Sequence, residues 1–219
     1  NVMNRAFSIA EEHPPRDGMT ISTMSGIRSE TKISYFSLGR GTDISAGSYP
    51  TEMLCIGAGG TGRFALGAGA DGKEIELGEG EALIVPKNTL CGSATREGFV
   101  YTEVITKGEL QMNEALKAGE VFRLADLVPY EKGSVVNMDV VSNEGFKFVV
   151  MAFDEGTGLS PHRAPGDALI FALEGRGVIG YEGQDYPIGA GENFRFAKGG
   201  LHSVTANGKF KMALLLTLK

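Results

Sequence analysis

Apolar residues in this chain are gathered into short segments that are typical of β-strands. Most segments are bounded by Gly, Asn, Asp or Pro, which end strands and form tight turns. Some, such as residues 148–153 and 212–218, are apolar at consecutive positions, as expected for strands that are covered on both faces. The pattern predicts an all-β fold of the sandwich or jelly-roll type. The predicted strands are residues 33–38, 53–56, 81–85, 99–105, 146–153, 168–173, 178–181 and 209–218.

One region lacks this strand pattern. Residues 108–120, GELQMNEALKAGE, are rich in helix-forming residues and close on a glycine. Leu110, Leu116 and Gly119 suit a short helix with a glycine stop. We therefore predict an N-terminal domain at residues 1–107, a helical linker at 108–120 and a C-terminal domain at 121–219.

The two predicted domains repeat one another. Residues 7–64 align with 122–179 at a shift of 115 positions, and residues 78–106 align with 189–217 at a shift of 111. The identical positions are mostly turn-forming residues, such as the pairs Gly60/Gly175 and Gly62/Gly177. Because glycines are favoured where the backbone makes a tight turn, their recurrence indicates that both domains turn at equivalent positions. A duplicated domain is the simplest interpretation.

Composition and charge narrow the choice of partners. The 32 glycines and 8 prolines suit many short strands joined by tight turns. A net charge of −6 without a long basic run predicts no nucleic-acid or membrane partner. No apolar run reaches the ~18 residues that span a bilayer, and no export signal is visible, so we expect a cytoplasmic protein. Its two cysteines, Cys55 and Cys91, are expected to be reduced thiols.

Two stretches of the second repeat carry the candidate chemistry. They are GTGLSPHRAPGDALIFALEG, from Gly156 to Gly175, and GENFRFAKGGLHSVTAN, from Gly191 to Asn207. Their glycine spacing resembles the two motifs of the cupin superfamily, written G-x5-H-x-H-x3-4-E-x6-G and G-x5-P-x-G-x2-H-x3-N. The resemblance implies two tandem jelly-roll barrels of the double-stranded β-helix type, a bicupin. It also implies that the barrels pack as an internal pseudo-dimer, and it allows a homodimer.

The metal-ligand positions of these motifs are only partly kept. His162 and His202 stand at two of them, whereas Ala164 and Ala168 replace the second histidine and the glutamate. In the first repeat none is kept, since the corresponding residues are Gly47, Tyr49, Met53 and Cys91. The resemblance therefore implies one divalent metal ion (Zn, Fe, Ni or Mn) in the C-terminal barrel and none in the N-terminal barrel.

Such an ion prefers three or four protein ligands. Asp167 is the candidate third ligand beside His162 and His202. It lies one residue before the glutamate position, so a regular strand would turn it to the other face unless Pro165 and Gly166 form a bulge. The alternative is that the two histidines face one another in the barrel mouth and bind water or a small ligand.

Other residues near the predicted mouth are candidates for ligand binding. Tyr181 flanks a turn at the mouth, and Phe194, Arg195 and Phe196 alternate along one strand. We expect the two phenylalanine rings to point into the barrel. If Arg195 pointed inward instead, it would anchor a carboxylate.

The sequence thus predicts a protein that binds a small molecule in its C-terminal barrel. One hypothesis is a metal-dependent enzyme of the oxygenase, isomerase or decarboxylase type, acting on a small oxygenated substrate. The alternative is a non-catalytic ligand-binding or sensory module without metal. A purely structural assembly unit is a third hypothesis, because one scaffold hosts many functions.

Overall fold

The computed structural model describes residues 5–219 and divides the chain into two compact units. One unit is Ile9–Arg123, and the other joins residues 5–8 with Leu124–Lys219. We call them the N-terminal and the C-terminal barrel. Both consist almost wholly of antiparallel strands, which confirms the predicted all-β jelly-roll class. No helix among the described residues is long and apolar enough to cross a membrane.

The N-terminal barrel has one short helix, α1 at Ile9–Glu12, and a 3-10 turn at Gly69–Asp71. Its strands are β1 Thr20–Met24, β2 Lys32–Leu38, β3 Asp43–Gly47, β4 Met53–Leu66, β5 Lys73–Gly78, β6 Glu81–Val85, β7 Cys91–Ala94, β8 Phe99–Ile105, β9 Gln111–Met112 and β10 Val121–Arg123. The strand order is β1-β2-β8-β4-β6-β10, with β5 and β7 also on β4 and with β3 on β7.

The C-terminal barrel begins with a 3-10 turn at Leu124–Asp126. Its strands are β11 Val135–Asn143, β12 Phe146–Phe153, β13 Gly158–Arg163, β14 Ala168–Tyr181, β15 Gln184–Gly189, β16 Asn193–Phe196 and β17 Leu201–Thr217. The order is β15-β14-β17-β12-β11, with β13 on β17 and β16 on β14.

The strand bounds recur at the shifts found in the sequence. β4 and β14 begin and end 115 positions apart, and β5 and β15 do so at 111. Both long strands contain a glycine of positive φ, Gly60 at +67° and Gly175 at +72°. A Cβ at either position would overlap a neighbouring carbonyl oxygen, that of Gly98 or of Lys209. These glycines therefore bend a continuous strand, and the predicted strands 53–56, 168–173 and 178–181 were too short for this reason.

Each barrel has its own apolar interior. Side chains from one face of β4 and β8 meet in the N-terminal core, and those from β14, β16 and β17 meet in the C-terminal core. Alternation along each strand sends every second residue inward, so one face of each strand lines the barrel. Equivalent glycines, Gly62 and Gly177, admit the rings of Phe99 and Phe210 to these interiors.

The helix predicted at residues 108–120 is wrong. The segment contains β9 and a series of turns, in which the amide of Leu116 donates to the carbonyl of Asn113. The Asn113 side chain accepts from the amide of Ala115, and the amide of Gly119 donates to Ile84 on β6. Too few residues lie between these contacts for a stable helix, because a short helix has little to offset its costly nucleus.

The predicted domain bounds at 107 and 121 follow the repeat, whereas the two compact units divide the chain after residue 8 and after Arg123. Phe7 exchanges backbone hydrogen bonds with Asn193, so residues 5–8 belong to the C-terminal barrel. Phe122 on β10 pairs with Ala82 on β6, so β10 belongs to the N-terminal barrel.

Candidate functional site

The structure brings His162 and His202 together. His162 lies on β13 and His202 on β17, where the two residues are direct partners across the antiparallel pair. Their ring centroids are 4.1 Å apart and the ring planes are tilted by 57°. The register shifts between Leu159 and His162, so the strand irregularity precedes the histidine. Imidazoles forty positions apart in the chain therefore form one pair.

Backbone carbonyl groups hold both rings in the same way. Nδ1 of His162 lies 2.8 Å from the carbonyl oxygen of Ser160, and Nδ1 of His202 lies 3.1 Å from that of Gly200. A carbonyl oxygen only accepts, so each Nδ1 carries the proton. In the neutral form each Nε2 then keeps its lone pair. This is the tautomer of a histidine that binds a metal through Nε2.

The two imidazoles differ in their surroundings. His202 is 8% exposed and stacks on Phe196, with centroids 4.3 Å apart. Burial lowers the pKa of His202, and the nearby His162 lowers it further, against the opposing effect of the bond to Gly200. His162 is exposed to solvent. The pair therefore has a covered side at His202 and an open side at His162.

The rings of β16 point into the barrel, as predicted. Phe194 and Phe196 are 0% and 1% exposed and belong to the core of the C-terminal barrel. Alternation places Arg195, which is half-buried, on the other face of the strand. The anion anchor that depended on an inward Arg195 therefore does not form beside the histidines.

Tyr181 contacts the loop that carries the second histidine. Its side chain is buried, and its hydroxyl oxygen accepts a hydrogen bond of 3.1 Å from the amide of Ala197. A Cβ on Gly200 would collide with the Tyr181 ring, so the loop approaches this ring closely. Tyr181 and Phe194 thus shape the site from within the core, while Phe196 contacts His202 directly.

The structure does not bring Asp167 to the imidazole pair. One carboxylate oxygen of Asp167 accepts from the amide of Lys198 at 2.8 Å, and its carbonyl oxygen accepts from both the amide and the hydroxyl of Thr217. Within residues 5–219 no group of three or more His, Cys, Asp or Glu side chains is placed to hold a metal ion. Two imidazole nitrogens are suitable ligand atoms for a divalent ion but fewer than the three or four protein ligands it prefers, so water or a bound molecule would have to complete its coordination.

Sequence reasoning missed the contacts that fix the loop at Gly199 and Gly200. Arg163 donates from its guanidinium to the carbonyl of Gly199 at 2.9 Å, although it is exposed. Ala164 and this loop also exchange backbone hydrogen bonds. In the sequence, the only indication that Arg163 contributes to the site was its position next to His162. These contacts determine where the carbonyl partner of His202 lies.

Comparison with known proteins supports the cupin resemblance. Residues 149–218 match the Cupin domain family. No curated protein matches the sequence. Among solved structures, a cupin 2 conserved barrel domain protein from Leptotrichia buccalis is similar, with a TM-score of 0.85 and 23% identity over 97% of this chain and 96% of that one.

Oxalate decarboxylase from Bacillus subtilis is a more distant structural neighbour. A variant of that enzyme has a TM-score of 0.57 and 13% identity over 99% of this chain and 78% of its own. Another structure of the enzyme, described for its Mn(II) centres, has the same TM-score and 12% identity, with the same coverage. At such identities the likeness concerns the fold alone. Residues 149–218 therefore match the Cupin domain family, and over nearly all of its length the chain shares the cupin-type jelly-roll fold of the Leptotrichia buccalis protein.

Proposed function

We propose that the C-terminal barrel binds a small oxygenated molecule at the His162–His202 pair, through a divalent metal ion held by the two Nε2 atoms. The observation that carries the proposal is that both Nδ1 atoms are bonded to backbone carbonyls, which leaves both Nε2 atoms as ligands. The 4.1 Å separation of the rings is compatible with a shared ion.

Different residues of the chain would bind such an ion and exclude water from it. His162 and His202 would hold it, and Phe196 would keep water from the buried side of His202. When bound, the ion supplies Lewis-acid chemistry, and with only two protein ligands it leaves positions open for oxygen atoms of a substrate. If the protein is an enzyme, this favours oxygenase, isomerase or decarboxylase chemistry. The Mn(II) centres of oxalate decarboxylase belong to a protein of the same fold and support this choice.

Metal titration tests the proposal, because the chain has only three histidines. Calorimetric titration with Zn²⁺, Mn²⁺ or Ni²⁺ should give about one ion per chain in the parent protein. His162→Ala and His202→Ala should each weaken binding by about tenfold or more. His13→Ala is the matched control and should leave binding unchanged, since His13 packs beside Tyr35 in the N-terminal barrel. Equal loss in the control would contradict the proposal.

A specific observation favours a second candidate, a ligand-binding or sensory module without metal. Ala164 and Ala168 occupy the other two ligand positions and are both buried, so nothing there can coordinate. In this case the two Nε2 atoms would accept hydrogen bonds directly from a hydroxylated ligand. Parent protein that takes up no metal, yet binds small hydroxylated compounds in excess chelator and loses them in His202→Ala, would select the module.

A further inference from the structure

Glu103 is a carboxylate inside the N-terminal barrel. It lies on β8 between Tyr101 and Ile105, which both pack into the core of this barrel, and alternation turns Glu103 to the same face. Its direct partners across the sheet are Ser34 on β2 and Cys55 on β4. The carboxylate therefore points to the interior.

The Glu103 carboxylate lies in the barrel without a hydrogen-bonding partner among residues 5–219. Glu103 is only 9% exposed, and among the described residues its oxygens take part in no hydrogen bond or ion pair. Buried polar groups are nearly always hydrogen-bonded, because an unpaired one loses its hydration without compensation. Burial accordingly raises the pKa of Glu103 to about 7, and the charge of Lys32 opposes the shift only in part.

Within the described part of the chain, the cation whose charge acts on Glu103 is Lys32, which is exposed. The other titratable groups that interact with Glu103 are two thiols and two phenols, namely Cys55, Cys91, Tyr49 and Tyr101. Tyr101 belongs to a cluster of aromatic rings, with the rings of Phe36 and Phe64 each 5.2 Å away. An acidic group beside aromatic faces, opposed here by an exposed lysine rather than by a buried cation, attracts organic cations.

The position of this group matches the site of the other barrel. Gly47 and Cys91 are strand partners in the N-terminal barrel, as His162 and His202 are in the C-terminal one. Cys91 is half-buried and Tyr49 is 42% exposed, so this end of the barrel is open to solvent. At the shift of 111, Glu103 corresponds to Leu214, which packs against the C-terminal core. The carboxylate is thus particular to the N-terminal barrel.

We propose that the N-terminal barrel binds a small organic ammonium ion, a primary amine whose N–H groups donate to the Glu103 carboxylate and whose carbon chain lies against the aromatic cluster around Tyr101. A metal ion fits less well, because this cluster has no histidine and the pKa values of its thiols, Cys55 and Cys91, are raised, which keeps them protonated. A neutral alcohol would satisfy one oxygen and leave the charge unpaired. An ammonium ion supplies both the charge and several donors.

The test uses ethylammonium chloride as the probe, in the full chain carrying His162→Ala and His202→Ala so that the C-terminal site cannot contribute. Calorimetry or chemical-shift titration at about pH 8 should give saturable binding at one site, weaker by about tenfold at about pH 5.5, where Glu103 is protonated. Ethanol has the ethyl chain of the probe without its charge, and the potassium ion has the charge without N–H donors. Neither ethanol nor potassium chloride should bind.

Two substitutions and a control complete the test. Glu103→Gln and Glu103→Leu, the latter taking the residue of the other repeat, should each weaken ethylammonium binding by about tenfold or more. Glu97→Gln should not, because Glu97 is highly exposed and forms its ion pair with Arg40 at the surface. Absence of binding in the parent, binding that persists in both folded Glu103 variants, or equal binding of ethanol would each overturn the proposal. Because the histidines are already removed, none of these outcomes bears on the proposed function.

Discussion

At the scale of single residues, the two barrels differ in the side chains at the positions of the histidine pair. The strand partners are His162 and His202 in one barrel and Gly47 and Cys91 in the other. Both histidines are fixed by carbonyls of residues two positions earlier in the chain. A local bond of this kind sets the tautomer without help from another side chain.

Glu103 should make stability depend on pH. Its pKa is raised from 4.5 to about 7 in the folded protein, chiefly by burial. The folded state therefore binds more protons than the unfolded state across this window. The contribution of Glu103 to the free energy of unfolding is fully present below its unfolded pKa. It is lost as the pH rises through 7, by on the order of 3 kcal/mol. Glu103→Gln should remove this dependence.

Urea unfolding at about pH 5 and about pH 8 checks this prediction. Glu103→Gln should match the parent at the lower pH and exceed its free energy of unfolding at the higher one. The titratable groups that surround Glu103 are Lys32, Tyr49, Cys55, Cys91 and Tyr101. The pKa values of the thiols and phenols are raised, so they stay neutral across this range. An unchanged pH slope in the variant would contradict the prediction.

The thiol of Cys91 should react slowly despite being only half-buried. Burial raises the pKa of Cys91 to about 12, and the charge of Glu103 adds to this effect. Only the thiolate is nucleophilic, so in a Cys55→Ala background iodoacetamide at about pH 8 should alkylate Cys91 far more slowly in folded than in urea-unfolded protein. A rate like that of the unfolded chain would contradict the prediction.

At the scale of elements, glycine bends let one strand serve two parts of a barrel. Gly175→Ala should destabilise the C-terminal barrel by several kcal/mol, since a Cβ there would overlap the carbonyl of Lys209 in addition to the strain of a positive φ. Gly183→Ala is the matched control, because its φ is +82° but nothing lies within 4 Å of its Cβ position. Thermal unfolding should show a clearly larger loss for Gly175→Ala.

The segment before β11 is attached to the C-terminal barrel by a buried lysine. Nζ of Lys211 donates to the carbonyl of Ala125 at 2.7 Å and lies 4.7 Å from the ring centroid of Tyr130, whose hydroxyl donates to Glu174. Lys211→Met should cost about 1–3 kcal/mol, because it leaves the Ala125 carbonyl unpaired. Lys209→Met should cost much less, since Lys209 is exposed and only approaches the same ring at 5.2 Å. Equal losses in chemical denaturation would contradict this assignment.

At the scale of the whole molecule, the sequence predicted the class of fold and the histidine pair because both depend on turns. Glycines such as Gly60 and Gly175 have backbone conformations that other residues avoid, so their spacing carries the fold. The helix predicted at residues 108–120 does not form, because hydrogen bonds to distant residues, such as that from Gly119 to Ile84, set the backbone there. Asp167 lies apart from the imidazole pair, since its carboxylate accepts a hydrogen bond from the amide of Lys198, a contact that spacing cannot reveal.

Glu103 was missed for a different reason. It interrupts an apolar strand, FVYTEVI. A charged residue in such a strand is ordinarily assigned to the solvent-facing side. The signal was the alternation of Phe99, Tyr101 and Ile105, which puts Glu103 on the inner face, together with Leu214 at the equivalent position of the second repeat. Comparing the two repeats position by position would have found it.

The central claim, that His162 and His202 present two free Nε2 atoms to one bound ion, is tested most directly by long-range ¹H–¹⁵N spectra of the histidine side chains. At about pH 7.5 both rings should be neutral with the proton on Nδ1, and about one equivalent of Zn²⁺ should shift both Nε2 signals while leaving His13 unchanged. A proton on Nε2 of either ring, or Nε2 signals that do not respond to Zn²⁺, would contradict the account.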